Sequence, residues 1–212
     1  MKRPTYVTDK ALKQFIKSAL EEDIQSGDHS TLSTIPSDLM QSAKLLVKED
    51  CILAGVELAE IIFKTFDKNL KIEVFIKDGE NAKVGDIAFI VTGKAQSILS
   101  TERLVLNCMQ RMSGIATLTH DWDSRLIGTK TKLLDTRKTT PNFRICEKWA
   151  VSIGGGTNHR YGLYDMIMLK DNHIDYNGSI TNAVKMTQQY LKKNKLKLKV
   201  EVETRNLAEV EE

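Results

Sequence analysis

KLLDT (132–136), NFRICEKWAV (142–151), DMIML (165–169), ITNAVKMTQQYL (180–191) and LKVEVE (198–203) follow one another in the second half of the chain, and their alternation decides the fold. KLLDT and DMIML are apolar runs and LKVEVE a mixed one, each short enough for a strand. The other two carry apolar residues at helical spacing. Repeated strand–helix units imply parallel strands, in an α/β barrel or an open sheet. A further helix starts near Asn206 and runs to the last residue, Glu212. In parallel α/β architectures the carboxyl ends of the strands point to one face, where active sites are found.

Upstream the pattern differs. TDKALKQFIKSALEED (8–23) places Leu12, Phe15, Ile16, Ala19 and Leu20 on one helical face, with Thr8 or Asp9 as cap. Gly27-Asp28 ends that helix, and His29 to Pro36 reads as a loop in which Asp28 is a loop or cap residue. The period then becomes two: Ala43, Leu45 and Val47 share a face, as do Ile72, Val74 and Ile76. GVELAEIIFKTFD (55–67) reads as a helix between them, and Gly79, Gly85 and Gly93 punctuate a meander of short strands. Residues 1 to about 100 are therefore expected to form an α+β unit with an antiparallel sheet. From Ser100 a long helix follows, with Val105, Cys108, Met109, Met112, Ile115 and Ala116 in one stripe.

The bulk properties exclude several classes. The chain has 212 residues, 41% hydrophobic and 28% charged, ordinary for a soluble globular protein. No apolar run approaches the roughly 18 residues of a membrane span. The amino terminus, MKRPTYVTDKALK, is basic but lacks the apolar stretch of a secretory signal. Cys51, Cys108 and Cys146 are widely spaced and none lies in a CxxC pair, so neither a disulfide framework nor a zinc site is expected. A reducing, cytoplasmic compartment follows. A net charge of +3 argues against bulk attraction to nucleic acid. The lysines at 192, 193, 195, 197 and 199 read as a solvated helix end running into a strand with Leu196, Leu198 and Val200 on its other face.

The positive charge is instead clustered at strand ends. KLLDT runs into Arg137-Lys138, VSIGGG (151–156) leads to Asn158-His159-Arg160, DMIML ends at Lys170-Asp171-Asn172-His173, and LKVEVE ends at Glu203. An isolated Arg-Lys pair is usually solvated surface. The GGG run lacks the GxxxxGK[ST] pattern of a P-loop. At the carboxyl ends of parallel strands, however, Arg137, Lys138, His159, Arg160, Lys170 and Glu203 are expected to converge. So many cations at one mouth repel one another unless anions bind, and arginine and lysine are natural partners of carboxylate and phosphate. A multiply anionic ligand is the inference from the residues alone.

LLDTRKTTP (133–141), GGGTNHRYGLYDMIMLKDNHI (154–174) and VEVE (200–203), in this order and spacing, resemble the signature of quinolinate phosphoribosyltransferases, also called nicotinate-nucleotide pyrophosphorylases. ALEEDIQSGDHST (19–31) resembles the family's amino-terminal helix and loop, and STERLVLNCMQRMSGIATLT (100–119) its connecting helix. The likeness covers the chain from about residue 10 onward.

The resemblance implies an amino-terminal α/β sandwich domain over 1–112, including the start of the connecting helix, and an open, incomplete α/β barrel domain over 113–212. It implies phosphoribosyl transfer from phosphoribosyl pyrophosphate to quinolinate with decarboxylation, giving nicotinate mononucleotide, pyrophosphate and carbon dioxide for NAD biosynthesis. Mg²⁺ is the implied cofactor, and a homodimer the implied assembly, with Arg103 reaching the partner's site. Carried over residue by residue, Arg103, Arg137, Lys138, His159, Arg160 and Lys170 are expected to bind substrate. Lys138 and Glu203 are the expected catalytic residues, and Glu203 the expected metal ligand. Glu201 shares the strand face of Glu203 by the period-two rule, so a register slip would exchange them.

Family members continue beyond VEVE, so this chain is expected to be either a partial sequence or a truncated product. Three other readings remain. A related phosphoribosyltransferase would act on another pyridine carboxylate such as nicotinate. A truncated, non-catalytic family member would serve only in oligomerisation. A lipoyl-type carrier would need a lysine at a hairpin tip, which Lys94 in TGKAQ matches poorly.

Overall fold

The computed structural model describes residues 3–212, in two compact units, one ending at His159 and the other running from Arg160 to Glu212. In the first unit, α1 (Asp9–Ile24) buries Leu12 and Ile16, and the Thr8 hydroxyl accepts from the Ala11 N–H (3.2 Å). That cap pairs one of the donors a helix start leaves open. The expected loop after it is in fact α2 (His29–Thr34), capped by Asp28, which accepts from the Thr31 N–H (3.0 Å). Its 6 residues are mostly Ser and Thr, which carry no apolar period and favour caps and turns.

β1 (Met40–Leu46), β2 (Cys51–Ile52), α3 (Val56–Phe66), β3 (Lys71–Val74), β4 (Asn81–Ala82) and β5 (Ile87–Lys94) follow in order. β5 lies between β1 and β3, antiparallel to both, and β2 pairs antiparallel with β4. α3 has only Gly55 at its cap position, and Asp78 supplies the missing acceptor to the Val56 and Glu57 N–H groups (2.8 and 3.0 Å). Its inner face meets β5 through an edge-on pair of rings, Phe63 and Phe89.

α4 (Ala95–Ser124) begins five residues before the expected Ser100, because β5 passes into it at Lys94-Ala95 without a turn. The stripe Val105, Cys108, Met109, Met112 and Ala116 is buried as the helical period requires. α5 (Arg144–Ile153) packs against α4. Gly154 permits that approach, since a Cβ there would collide with the Ala116 carbonyl oxygen. One hydrophobic cluster joins α1, α3, β5, α4 and α5. KLLDT, expected as a strand, makes only a parallel bridge between Leu134 and Thr157.

The second unit contains β6 (Ile167–Leu169), α6 (Asp171–Asn177), α7 (Ile180–Lys193), β7 (Val200–Val202) and α8 (Leu207–Glu211). β6 and β7 are parallel, with Leu169 opposite Val202. α7 is capped by the Ser179 hydroxyl and α8 by the Asn206 side chain. α6 was not expected; of its 7 residues only Ile174 is buried, so no apolar stripe announces it. The architecture is thus α+β with an antiparallel sheet, followed by α/β with parallel strands in an arrangement that is not closed.

Candidate active site

At the end of the first parallel pairing, the Thr157 N–H donates to the Leu133 carbonyl (2.8 Å) and the Asp135 N–H to the Thr157 carbonyl (3.2 Å). The His159 N–H then donates to Asp135 Oδ1 (2.8 Å), and Asn158 Nδ2 to Asp135 Oδ2 (2.7 Å). The Lys148 ammonium pairs with Asp135, and the two side chains are 1% and 6% exposed. The Asn158 amide is used on both sides. Nδ2 also reaches the Lys148 carbonyl (2.8 Å), while Oδ1 accepts from Ser152 Oγ (2.7 Å) and the Tyr6 hydroxyl (2.8 Å). Buried charges persist only with partners of this kind.

Two residues beyond Asp135 lies Arg137, half-buried, with an Nε that is shielded from solvent and meets no hydrogen-bond partner among the described residues. Lys138 is exposed, its N–H held by Thr136 Oγ1 (3.0 Å). Glu147 fixes the remainder of this loop. Its carboxylate accepts from the Thr140 N–H (3.0 Å), the Thr140 hydroxyl (2.9 Å), and Arg111 Nε and Nη2 (3.1 and 2.9 Å). Burial alone would raise the Glu147 carboxyl, but the bonds from Thr140 and the Arg111 guanidinium outweigh it and hold the group below the ordinary carboxylate value. Arg144 Nε donates to Thr139 Oγ1 (2.9 Å), pinning the same loop again.

In the second unit, the Glu203 N–H donates to the Leu169 carbonyl (2.8 Å), so Lys170 and Glu203 leave the β6–β7 pairing side by side. Lys170 Nζ stands 3.1 Å from Glu203 Oε2, with side chains 45% and 54% exposed. The Lys170 N–H donates to His173 Nδ1 (2.9 Å), which makes Nδ1 the acceptor nitrogen of that ring. Arg160 Nη1 reaches the Met166 carbonyl (3.4 Å). Asp165 closes the intervening turn by accepting from the N–H groups of Tyr161 and Gly162 (2.7 and 2.9 Å).

The expected residues thus fall into two groups: Arg137, Lys138 and His159 around the first strand end, and Arg160, Lys170 and Glu203 in the second unit. Arg103 is exposed on α4 and makes no hydrogen bond or ion pair with the others among the described residues. Sequence reasoning passed over Asp135, Lys148, Asn158 and Glu147. The available signal was an acid directly before the Thr136-Arg137-Lys138 turn and a Glu-Lys pair inside a helix whose neighbours at 145, 146, 149 and 150 are all apolar and buried.

Comparison with known proteins identifies the family. The family model described as quinolinate phosphoribosyl transferase, N-terminal domain, matches residues 28–113, and the corresponding C-terminal domain matches 115–212. A tobacco quinolinate phosphoribosyltransferase [decarboxylating], mitochondrial by its name, is 49% identical over 99% of this chain and 58% of its own length. A rice nicotinate-nucleotide pyrophosphorylase [carboxylating], chloroplastic, is 50% identical, and the match covers 99% of this chain and 55% of the rice protein. The chain therefore spans little more than half the length of these plant relatives. The crystal structure of NadC from Streptococcus pyogenes, 38% identical, superposes with a TM-score of 0.89 over 98% of this chain and 73% of that one. By sequence and by fold, this chain belongs to the quinolinate phosphoribosyltransferase family.

Proposed function

We propose that the chain carries the residues for phosphoribosyl transfer to quinolinate with decarboxylation, the reaction that the names of its relatives describe. The observation that carries this reading is Arg137 Nε, a buried donor without a partner among the described residues. Leaving such a donor unpaired costs about 1–3 kcal/mol, more when charged, and a ligand carboxylate removes that cost. Arg137, His159 and Arg160, with Arg103 of a second copy in a homodimer, orient the two carboxylates of quinolinate. Lys138 and Lys170 hold phosphate and pyrophosphate oxygens as compact charges.

As the ribose C1–oxygen bond breaks, its electron pair leaves with pyrophosphate and an oxocarbenium-like ribose remains. The Glu203 carboxylate stabilises that cation. The pyridine nitrogen then attacks C1 and becomes a pyridinium. The ring carbon next to it receives the electron pair of the breaking bond to the carboxylate, carbon dioxide departs, and a proton takes its place. The positive nitrogen is the electron sink, so positioning and desolvation are the protein's share.

Glu203 also fits Mg²⁺, as a half-exposed oxygen donor at a strand end. No group of three or more His, Cys, Asp and Glu is preformed among the described residues. Mg²⁺ commonly binds through one or two carboxylates together with substrate phosphates, where it neutralises the charge of the leaving pyrophosphate. No described helix is long and apolar enough to cross a membrane. A cytoplasmic location rests on the cysteine pattern alone.

Titrating quinolinate into the full chain tests the reading. Arg137→Ala is expected to weaken binding by roughly ten- to a hundredfold, the size of a lost hydrogen bond to a charged group. Unchanged affinity would remove Arg137 from the site. Tighter binding of nicotinate than of quinolinate would favour the related phosphoribosyltransferase, because nicotinate has one carboxylate fewer.

A further inference from the structure

The pairing that begins at Leu134 and Thr157 does not end on a main-chain rung. Continuing the parallel pattern would carry the His159 N–H to the Asp135 main-chain carbonyl. It reaches the Asp135 side chain at Oδ1 (2.8 Å). A carboxylate extends beyond the backbone that bears it, so a bond of this kind can span a wider gap between two chains than a main-chain rung. The bond falls where one chain turns into Arg137-Lys138 and the other arrives at His159.

We propose that Asp135 is a positioning residue, a side-chain rung that sets the separation between the Arg137-Lys138 segment and His159. The proposal rests on the reading of those residues as the quinolinate site. Three features hold the rung in place. Asp135 accepts from His159, Asn158 and Lys148 together, so both oxygens are engaged. Lys148, 1% exposed, neutralises its charge out of contact with water. Asn158 can present only its Nδ2 to Asp135, because Ser152 and Tyr6 donate to its Oδ1. The cluster runs back to Tyr6, outside the residues that the two family domains match.

Removing Asp135 alone would strand the Lys148 charge and confuse misfolding with misplacement, so two paired variants carry the test. D135N/N158D exchanges carboxylate and amide across their shared hydrogen bond. It keeps the net charge, a counter-ion for Lys148 and an oxygen for the His159 N–H, and gives up the amide bond to the Lys148 carbonyl. D135L/K148M replaces the ion pair with apolar groups of similar size and removes the rung. Amide hydrogen exchange at His159 reads the rung directly, and quinolinate titration reads its consequence.

The exchange of groups should keep His159 protected and quinolinate affinity within about threefold of the parent, whereas D135L/K148M should lose about tenfold or more in both. If D135L/K148M retains either His159 protection or quinolinate affinity, or if the two variants behave alike, the proposal is overturned. A parent chain that binds no quinolinate contradicts the proposed function instead, and His159 exchange still decides whether the rung exists.

Discussion

Two lysine–carboxylate pairs sit at parallel strand ends, Lys148–Asp135 in the first unit and Lys170–Glu203 in the second. Their side-chain exposures are 1% and 6% against 45% and 54%. The chemistry is the same and the setting opposite. The buried pair is enclosed by the amide of Asn158 and the His159 N–H, so it cannot turn to a ligand without breaking its surroundings. The half-exposed pair has free solid angle, and its mutual attraction in water is small. A buried pair fixes backbone positions, and an exposed one keeps its charges available. Charged residues near a site thus divide by burial into those that hold the frame and those able to meet substrate.

The sharpest way to break this contrast is to neutralise one member of the buried pair. Asp135→Asn leaves a buried ammonium uncompensated and should lower unfolding free energy by about 3–5 kcal/mol in urea titration. A loss below about 1 kcal/mol would mean that water reaches the pair and that the contrast is false. Glu147→Gln probes the neighbouring residue on α5, which clamps the loop after Arg137. At neutral pH it should cost about 1–3 kcal/mol through the weakened bonds to Arg111 and Thr140.

The Glu147 carboxyl is held below its ordinary value. Its contribution is therefore fully present above the unfolded value and disappears as pH falls through the folded one. Parent and Glu147→Gln stabilities should converge as acidification passes below the ordinary carboxylate range, and a gap that widens on acidification would reverse the assigned sign. The smallest effect belongs to the exposed pair. Lys170→Ala should change stability by less than about 1 kcal/mol while lowering quinolinate turnover by about tenfold or more. A large stability loss with normal turnover would make Lys170 a frame residue.

The same division explains what was legible in the sequence. α1, α3 and α7 were readable because their apolar residues recur on one face, and Thr8, available from sequence as a cap, is the one used. α2 and α6 escaped because each buries a single residue. KLLDT looked like a strand, yet its apolar run supports only one bridge, because an acid side chain takes over the next rung. Among the site residues, the cations were visible because they follow apolar runs. Lys148 was not, since it lies with Arg144, Glu147 and Ser152 on the polar face of α5, where a lysine is ordinarily solvated, yet the folded helix is buried continuously from Ile145 to Ala150. Its role depends on Asp135 and Asn158, 13 and 10 positions away, a pairing that exists only once the chain is folded.

The most direct test of the whole account is product formation by the 212-residue chain itself, followed as carbon dioxide and pyrophosphate released on mixing with quinolinate, phosphoribosyl pyrophosphate and Mg²⁺. The account predicts equal amounts of both products, each dependent on both substrates and strongly reduced by Arg137→Ala. Pyrophosphate release from nicotinate without carbon dioxide, or release unaffected by Arg137→Ala, would contradict it.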